Sequence, residues 1–108
     1  MGESLQSLEN CEKISLSTNQ IEKIENLPKT NKLKILSLAR NHIRRIMGLE
    51  DVGSSLEQLW LSYNMIEKLD GLDSCVKLNT LYISNNCIKK WDELKKLSKN
   101  ESLKSVMF

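Results

Sequence analysis

Apolar residues recur along this chain in a phrase that is repeated four times. The phrase reads Leu-x-x-Leu-x-Leu-x-x-Asn-x-Ile-x-x-Ile with conservative exchanges, and a fifth copy begins at Leu103. Its asparagines lie 22, 23 and 22 residues apart, at Asn19, Asn41, Asn64 and Asn86. A fixed period of this length is the sequence signature of stacked structural repeats.

Each phrase predicts a short strand followed by a turn. Leu59, Trp60 and Leu61 illustrate the alternation of period two, which places one strand face in a core and the other outside. The asparagine follows where the chain must turn, and its amide can satisfy both a backbone N–H and a backbone C=O. We therefore expect the four asparagines to stack into a hydrogen-bonded column, which we call the asparagine ladder.

One such coil cannot bury its own apolar face, so it needs neighbours above and below. The pattern is that of short, 22-residue leucine-rich repeats. We predict an α/β fold, a right-handed solenoid with parallel strands on the concave face and short helical or 3₁₀ turns on the convex face. The 108 residues are expected to form one domain, with a partial cap at 1–10, repeats at about 11–32, 33–55, 56–77 and 78–102, and a truncated fifth repeat at 103–108.

The fourth return differs from the others because its pattern predicts a true helix at residues 92–102. Asp92 is the expected N-cap, and Leu94 and Leu97 are expected to face the core. Trp91 fills an isoleucine position of the repeat, so we expect it to pack in the core as well.

Charge and cysteine content narrow the class of protein. The net charge of +2 is too small to predict nucleic-acid binding. No apolar run approaches the roughly 18 residues that a membrane span requires. The 3 cysteines follow no disulfide or metal-binding pattern, and no signal peptide precedes them. We therefore expect reduced thiols and an intracellular, cytoplasmic protein.

The chain offers no catalytic constellation. The glycines of the returns occur singly rather than in a phosphate-binding loop. His42 is the only histidine and has no nucleophile beside it, and Glu50 and Asp51 form an adjacent acidic pair that nothing holds on one face. We expect no enzymatic activity, no cofactor and no metal, and a protein-binding role instead.

One candidate contact surface lies on the predicted sheet. The residues between the core leucines form an outward column of Ser15, Ser37, Trp60, Tyr82 and Met107. An exposed group of aromatic, methionine and arginine side chains has the composition of a protein-binding hot spot. We call this group the aromatic patch, and it comprises Trp60, Tyr82, Tyr63, Met107, Ile35 and Arg40. The alternative is that the rings merely cover the sheet.

A second candidate surface, the basic flank, comes from the position before the last core residue of each repeat. It consists of Lys23, Arg45, Lys68 and Lys90. Arg44 and Lys89 broaden it. This stripe fits an acidic partner such as the tubulin tails. We prefer the plainer interpretation, a solvated flank that Glu22 and Glu67 partly neutralise.

Longer stretches of the chain closely resemble the axonemal dynein light chain 1 family. They cover residues 11–24, 33–43, 56–69 and 81–91, within a resemblance over about residues 5–108. Ser17 and Thr18, and Trp60 with Ser62 and Tyr63, carry the most weight because no packing rule requires them.

This resemblance implies a non-catalytic subunit of outer-arm dynein in the axoneme of cilia and flagella, a part of the cytoskeleton. In that family the repeat domain binds a dynein heavy chain near its microtubule-binding region and tunes the motor. The family's sheet face is the implied contact surface, which matches the aromatic patch by position. Through the basic flank, microtubules or tubulin are an expected further partner, and neither nucleic acid nor a membrane is expected.

The chain departs from the family pattern at both ends. Family members have an N-terminal helical segment, and beyond position 108 they continue into a sixth repeat and a helical cap. Solenoids need polar caps, whereas the last predicted strand here is an open edge, so we expect this chain to be a piece of a longer protein. The alternative function is a general leucine-rich-repeat adaptor such as a phosphatase-regulatory scaffold. The small number of repeats and the Trp/Tyr-centred patch disfavour it.

Overall fold

The computed structural model describes residues 10–25, 27–90 and 92–107. Its five strands form one parallel sheet in chain order. They are β1 (Lys13–Ser15), β2 (Ile35–Ser37), β3 (Gln58–Trp60), β4 (Thr80–Tyr82) and β5 (Ser105–Met107). Between β4 and β5 lie a short α-helix, α1 (Asp92–Lys95), and a 3₁₀ turn (Lys96–Lys99). A parallel sheet built from successive coils confirms the predicted α/β solenoid.

Some predictions fall outside the described residues. These are the cap at residues 1–9, the core position of Trp91 and the end of the last strand at Phe108. No helix in the described part of the chain is long and apolar enough to cross a membrane.

The strands pair in register, so equivalent residues of each repeat lie side by side. Leu36 pairs with Leu59, and Leu59 pairs with Leu81. The central residue of each of the first four strands is buried, while its two neighbours are half-buried or exposed. The alternation predicted from sequence therefore separates a buried face from an open one along the whole sheet.

The buried face forms a single core that runs through all of the coils. In the second and third repeats the second leucine of the pair, Leu38 or Leu61, is as completely buried as the first, whereas Leu16 of the first repeat is only partly buried. Isoleucines after each asparagine, such as Ile43 and Ile66, close the same core from the returning side. Full burial of one such side chain stabilises a fold by about 1.5–3 kcal/mol, and each coil buries several only because its neighbours cover them.

The asparagine ladder joins each coil to the one before it. The Asn64 amide nitrogen donates to Leu61 O at 3.0 Å in its own coil and to Leu38 O at 3.0 Å in the preceding coil. Its oxygen accepts the N–H of Ile43 at 3.0 Å, again from the preceding coil. Asn41 and Asn86 repeat this arrangement. The amide thus satisfies backbone groups at the strand ends of two coils.

Asn19 belongs to the ladder by sequence but not by bonding. Its side chain is exposed, and its amide donates only to Ser17 O, at 3.0 Å, among the described residues. The backbone N–H of Asn19 does donate to Asn41, at 2.9 Å. Asn19 is therefore held by the ladder without linking a further described coil.

Glycine is required where one return crosses close to the coil before it. Gly71 has a φ of +90°, and a Cβ atom built there would overlap the carbonyl oxygen of Ile46. Gly48 takes the same place one coil earlier, where a Cβ would lie 2.5 Å from Ile24 O. A side chain at either position would force adjacent coils apart.

The fourth return holds a shorter helix than predicted. The expected helix at 92–102 becomes one α turn that begins at Asp92 and a 3₁₀ turn that ends at Lys99, so Asp92 is a first-turn residue rather than the N-cap. Asn100 ends the helical segment because its buried amide donates to Leu72 O at 2.9 Å and to Cys75 O at 3.2 Å in the preceding return. Leu94 and Leu97 do pack against the core, as predicted.

Glu93 fastens this helix to the third coil. Its carboxylate accepts the backbone N–H of Leu69 at 2.8 Å and the ammonium of Lys96 at 2.9 Å. The hydrogen bond from Lys96 and then that from Leu69 lower the pKa of Glu93. The same hydrogen bond to Glu93, followed by one to Asp70, raises the pKa of Lys96. In the second and third repeats the returns are hydrogen-bonded turns instead, as at Val52 and Cys75.

Replacing Asn64 with alanine should destabilise the fold by about 3 kcal/mol, because the Ile43 N–H is left buried without a partner and two carbonyls each lose a donor. Asn19→Ala is the matched control and should cost less than about 1 kcal/mol, since that amide is exposed. Urea unfolding followed by circular dichroism measures both. Equal losses in the two variants would show that inter-coil bonding does not set the cost.

The Cys75 thiol should make stability depend on alkaline pH. Burial is the main reason that its pKa rises from 9.0 to about 11. The thiolate is therefore disfavoured in the fold, and stability that is fully present below pH 9.0 is lost as the pH rises towards about 11. The free energy of unfolding, measured across this pH range, should fall more steeply for the parent than for Cys75→Ala. Parallel curves would contradict the assignment.

Candidate functional site

The exposed sheet face carries two aromatic rings on neighbouring strands. Parallel pairing places Trp60 opposite Tyr82 and Tyr82 opposite Met107. The rings of Trp60 and Tyr82 have centroids 4.1 Å apart and planes inclined by 33°. This tilted stack immobilises both rings before any partner arrives, which lowers the entropic cost of binding.

A hydrogen bond to Gln58 also orients the indole of Trp60. Its Nε1–H donates to Oε1 of Gln58 at 3.2 Å, within the same strand. Trp60 remains 37% exposed and Met107 51% exposed, so the stack presents a broad apolar surface. Gln58 was not among the predicted site residues. Its position two residues before Trp60, on the same face of a strand, was the available signal.

A second aromatic contact lies where the strands end. The guanidinium carbon of Arg40 lies 4.3 Å from the centre of the Tyr63 ring, within the range of a cation–π interaction. Tyr63 is 47% exposed. Arg40 and Tyr63 precede successive ladder asparagines, so stacking of the coils brings them together.

The backbone at these two residues is left-handed. Arg40 has a φ of 57° and Tyr63 a φ of 60°, and Thr18 and Asn85 take the same conformation in the first and fourth coils. This region costs a non-glycine residue about 1–2 kcal/mol. Inter-coil bonds hold it, since the Arg40 N–H donates to Ser62 O at 2.9 Å and the Tyr63 N–H to Ser84 O at 3.0 Å. The strain belongs to the turn in each repeat, and sequence patterning did not reveal it.

Ile35 stands apart from the stacked rings. It begins β2 and pairs with Lys13 on one side and Gln58 on the other, in the column next to that of Trp60. It is half-buried. Of the six predicted residues, four form two side-chain contacts, Met107 extends the stack by its register, and Ile35 lies at the border.

The other half of the sheet face is lined with hydroxyl groups. The Oγ atoms of Ser17 and Ser37 are hydrogen-bonded at 2.8 Å, and Ser15 is exposed beside them. The aromatic rings lie on β3 and β4, and we call the serine-lined part beside β1 and β2 the hydroxyl half. Hydroxyl groups also continue past the rings, since the Oγ atoms of Ser62 and Ser84 are hydrogen-bonded at 3.2 Å. Such a surface suits the binding of an apolar ridge that crosses one half only.

The basic flank is fully exposed along all four coils. The side chains of Lys23, Arg45, Lys68 and Lys90 are all open to solvent. None of them forms an ion pair with another described residue. Glu22 and Glu67 line the same concavities as these cations but form no ion pair with them among the described residues, so partial neutralisation of the flank stays a prediction. An exposed ion pair gains little over hydration, so these long side chains extend into water instead.

Nothing in this geometry resembles a catalytic centre. The described residues contain no cluster of histidine, cysteine or carboxylate groups that could hold a metal ion. His42 is exposed and lies beside Arg44 and Arg45 rather than beside a nucleophile. Cys75 is buried and Cys87 is exposed, so the two thiols lie in different environments. The arrangement is suited to recognition through shape and apolar contact.

Comparison with known proteins agrees with the repeat architecture. A leucine-rich repeat family model matches residues 3–98. A protein of Danio rerio named dynein axonemal light chain 1 is 66% identical over 108 residues, covering 100% of this chain and 56% of that relative. The human protein of the same name is 63% identical over 108 residues, covering 100% of this chain and 57% of its own length.

A relative from Chlamydomonas reinhardtii is also similar over almost the whole chain. The Chlamydomonas reinhardtii protein named dynein axonemal light chain 1 is 55% identical over 107 residues, covering 99% of this chain and 54% of that relative. The chain therefore spans about half the length of the curated relatives it matches. The resemblance to axonemal dynein light chain 1 seen in the sequence is confirmed by these relatives. From the repeat pattern, the stacked sheet and the family model together, this chain belongs to the leucine-rich repeat family.

Proposed function

We propose that this chain is a non-catalytic, protein-binding part of axonemal outer-arm dynein. Its relatives over the full chain are named dynein axonemal light chain 1, and the proposed site of action is the axoneme of the cilium or flagellum. The observation that carries the proposal is the aromatic patch, in which the exposed ring of Trp60 is stacked on the half-buried ring of Tyr82. In this proposal the repeat scaffold acts by holding another protein.

The proposed partner of the aromatic patch is a dynein heavy chain, near its microtubule-binding region. Exposed tryptophan, tyrosine and arginine are the side chains that most often dominate the energy of protein interfaces. Trp60 and Tyr82 supply the apolar centre, and the Arg40–Tyr63 pair supplies a polar border on the same side of the sheet. An apolar ridge of the heavy chain would exclude water from the two rings, and the hydroxyl half would lie at the solvent-accessible edge of the interface.

Modulation of the motor follows from rigidity rather than from chemistry. Inter-coil bonds fix the positions of the strands that carry the rings. A heavy-chain segment docked there would lose freedom to rearrange, which shifts the balance between conformations that differ at that segment. The light chain would thereby change the populations of heavy-chain conformations without taking part in a chemical reaction.

The basic flank is proposed as a second contact, for the acidic surface of tubulin. Its support is the absence of ion pairs at Lys23, Arg45, Lys68 and Lys90 within the described residues. The general adaptor, such as a phosphatase-regulatory scaffold, stays as the alternative to the dynein role. It would use the same sheet face with a different partner.

The double variant Trp60→Ala/Tyr82→Ala should lose heavy-chain capture by at least tenfold while it keeps its fold. Hot-spot aromatics each contribute about 2 kcal/mol or more to an interface, whereas these rings are partly exposed in the free protein. The measurement is capture from a flagellar extract, with the dynein heavy chain identified by mass spectrometry. Circular dichroism verifies the fold of the bait.

Lys13→Ala/Ser15→Ala is the matched control, because both side chains are exposed on the same sheet face at its other end. This variant should capture the heavy chain like the parent. If the Trp60→Ala/Tyr82→Ala variant still captured the heavy chain, the aromatic patch would not be part of the interface. Recovery of a phosphatase by the parent, or of nothing by well-folded bait, would favour the general adaptor.

A further inference from the structure

A groove crosses the basic flank on the side of the turns that follow the asparagines. It encloses about 600 Å³ and is centred on Arg44, Arg45, Met47 and Met65. An adjoining concavity of about 570 Å³ shares Arg44, Arg45 and Met47 and reaches Lys68 in the next coil. We call the two together the Arg–Met groove. It is separate from the sheet face that carries Trp60.

The groove concentrates positive charge. In the first concavity three cations, Lys23, Arg44 and Arg45, face one anion, Glu22, so that the local net charge of +2 equals that of the whole chain. All three cations are exposed, and none forms an ion pair with a described residue. In the second concavity Asp70 is already paired with Lys96 at 3.1 Å. Glu67 also lines the second concavity and forms no ion pair with a described residue. Across the groove four cations (Lys23, Arg44, Arg45 and Lys68) therefore face two anions not paired elsewhere (Glu22 and Glu67), so positive charge is left in excess.

Two methionines make the same groove partly apolar. Met47 is 39% exposed and Met65 is 40% exposed, and both line the first concavity beside the arginines. Neither occupies a core position of the repeat. Methionine is flexible and polarisable, and it adapts to the shape of an apolar side chain or the edge of an aromatic ring. Arginine and methionine are also enriched at protein interfaces.

We propose that the Arg–Met groove binds an acidic peptide segment that carries one large apolar side chain. The inference rests on the proposed contact role of the basic flank and specifies what that flank recognises. The apolar side chain lies against Met47 and Met65, and flanking carboxylates pair with Arg44 and Arg45. Arginine suits this role because its planar fork can bind a carboxylate through two hydrogen bonds.

The length of the segment follows from the spacing of the coils. The groove runs from Lys23 in the first coil to Lys68 in the third. Adjacent strands lie about 4.8 Å apart, so three coils span roughly 10 Å, which about three extended residues would cover. One apolar residue with an acidic residue on each side therefore matches the groove.

A phosphate backbone fits this groove less well than a peptide. Glu22 and Glu67 lie along its two parts and would repel a continuous row of phosphates. Single strands of nucleic acid are bound by stacking on aromatic rings, and the described residues that line this groove include two methionines and no phenylalanine, tyrosine or tryptophan. A peptide can place its carboxylates away from Glu22 and Glu67.

The test uses a fluorescently labelled octapeptide of glutamates with one central phenylalanine, followed by anisotropy at low salt. A second peptide with serine at the centre has the same charge and measures the contribution of the apolar side chain. The phenylalanine peptide should bind at least fivefold more tightly to the parent. Binding of both should weaken as salt increases, because the carboxylates pair with exposed arginines.

Two variants separate the groove from general charge. Arg44→Glu/Arg45→Glu should weaken binding of the phenylalanine peptide more than tenfold. Lys29→Glu/Lys77→Glu changes the net charge by the same amount at exposed residues outside the groove, and should weaken binding less than threefold. Met47→Ser/Met65→Ser should abolish the preference for phenylalanine over serine. Circular dichroism verifies that each variant is folded.

Several results would overturn the proposal. Equal binding of the phenylalanine and serine peptides would show that the groove recognises charge alone and no apolar side chain. Equal losses of binding in the two charge variants would show that the groove is not the binding site. Tighter binding of a single-stranded RNA oligomer, or of vesicles containing anionic lipid, would assign the flank to another class of partner. Trp60→Ala/Tyr82→Ala should keep full peptide binding, so failure of heavy-chain capture and failure of the groove are distinguishable.

Discussion

The carboxamide of a ladder asparagine bonds to two coils at once, and the remaining structure depends on that link. At Asn64 it donates to a strand-end carbonyl in its own coil and in the preceding one, and accepts an N–H from the preceding turn. These backbone groups lie inside the molecule, where leaving one unpaired costs about 1–3 kcal/mol. Hydrophobic burial supplies most of the driving force for stacking, but it is not directional. The amides convert a stack of apolar coils into one with a single register.

This register brings side chains that are far apart in sequence together on common surfaces. Trp60 and Tyr82 are 22 residues apart in sequence, and parallel pairing puts their rings 4.1 Å apart. Arg40 and Tyr63 meet because each precedes an asparagine of the ladder, in a left-handed conformation that inter-coil hydrogen bonds hold in place. The strain is distributed over the repeats and offset by the same bonds that stack the coils. A rigid scaffold therefore presents both contacts already formed.

The two candidate surfaces use different physical interactions. The sheet face offers aromatic area bordered by hydroxyl groups, which favours a shape-complementary and largely apolar partner. The Arg–Met groove offers an excess of cations beside adaptable methionines, and it should respond to salt far more strongly. Because separate parts of each coil supply the two surfaces, substitutions in one should leave the other working. Under the proposals above, the sheet face would hold a heavy-chain segment and the groove an acidic segment.

The sequence by itself determined the repeat period, the strands, the buried positions and the ladder, because each depends on local alternation that every coil repeats. It also predicted the aromatic patch and the basic flank as candidate surfaces, since in-register stacking follows from the constant repeat length. Tertiary structure alone decided the finer points. The helix ends early because the amide of Asn100 is bound by carbonyls of the preceding return. Asn19 drops out of the ladder, Gln58 orients Trp60, and Met47 and Met65 share a groove, because each outcome depends on contacts that coil stacking alone does not specify.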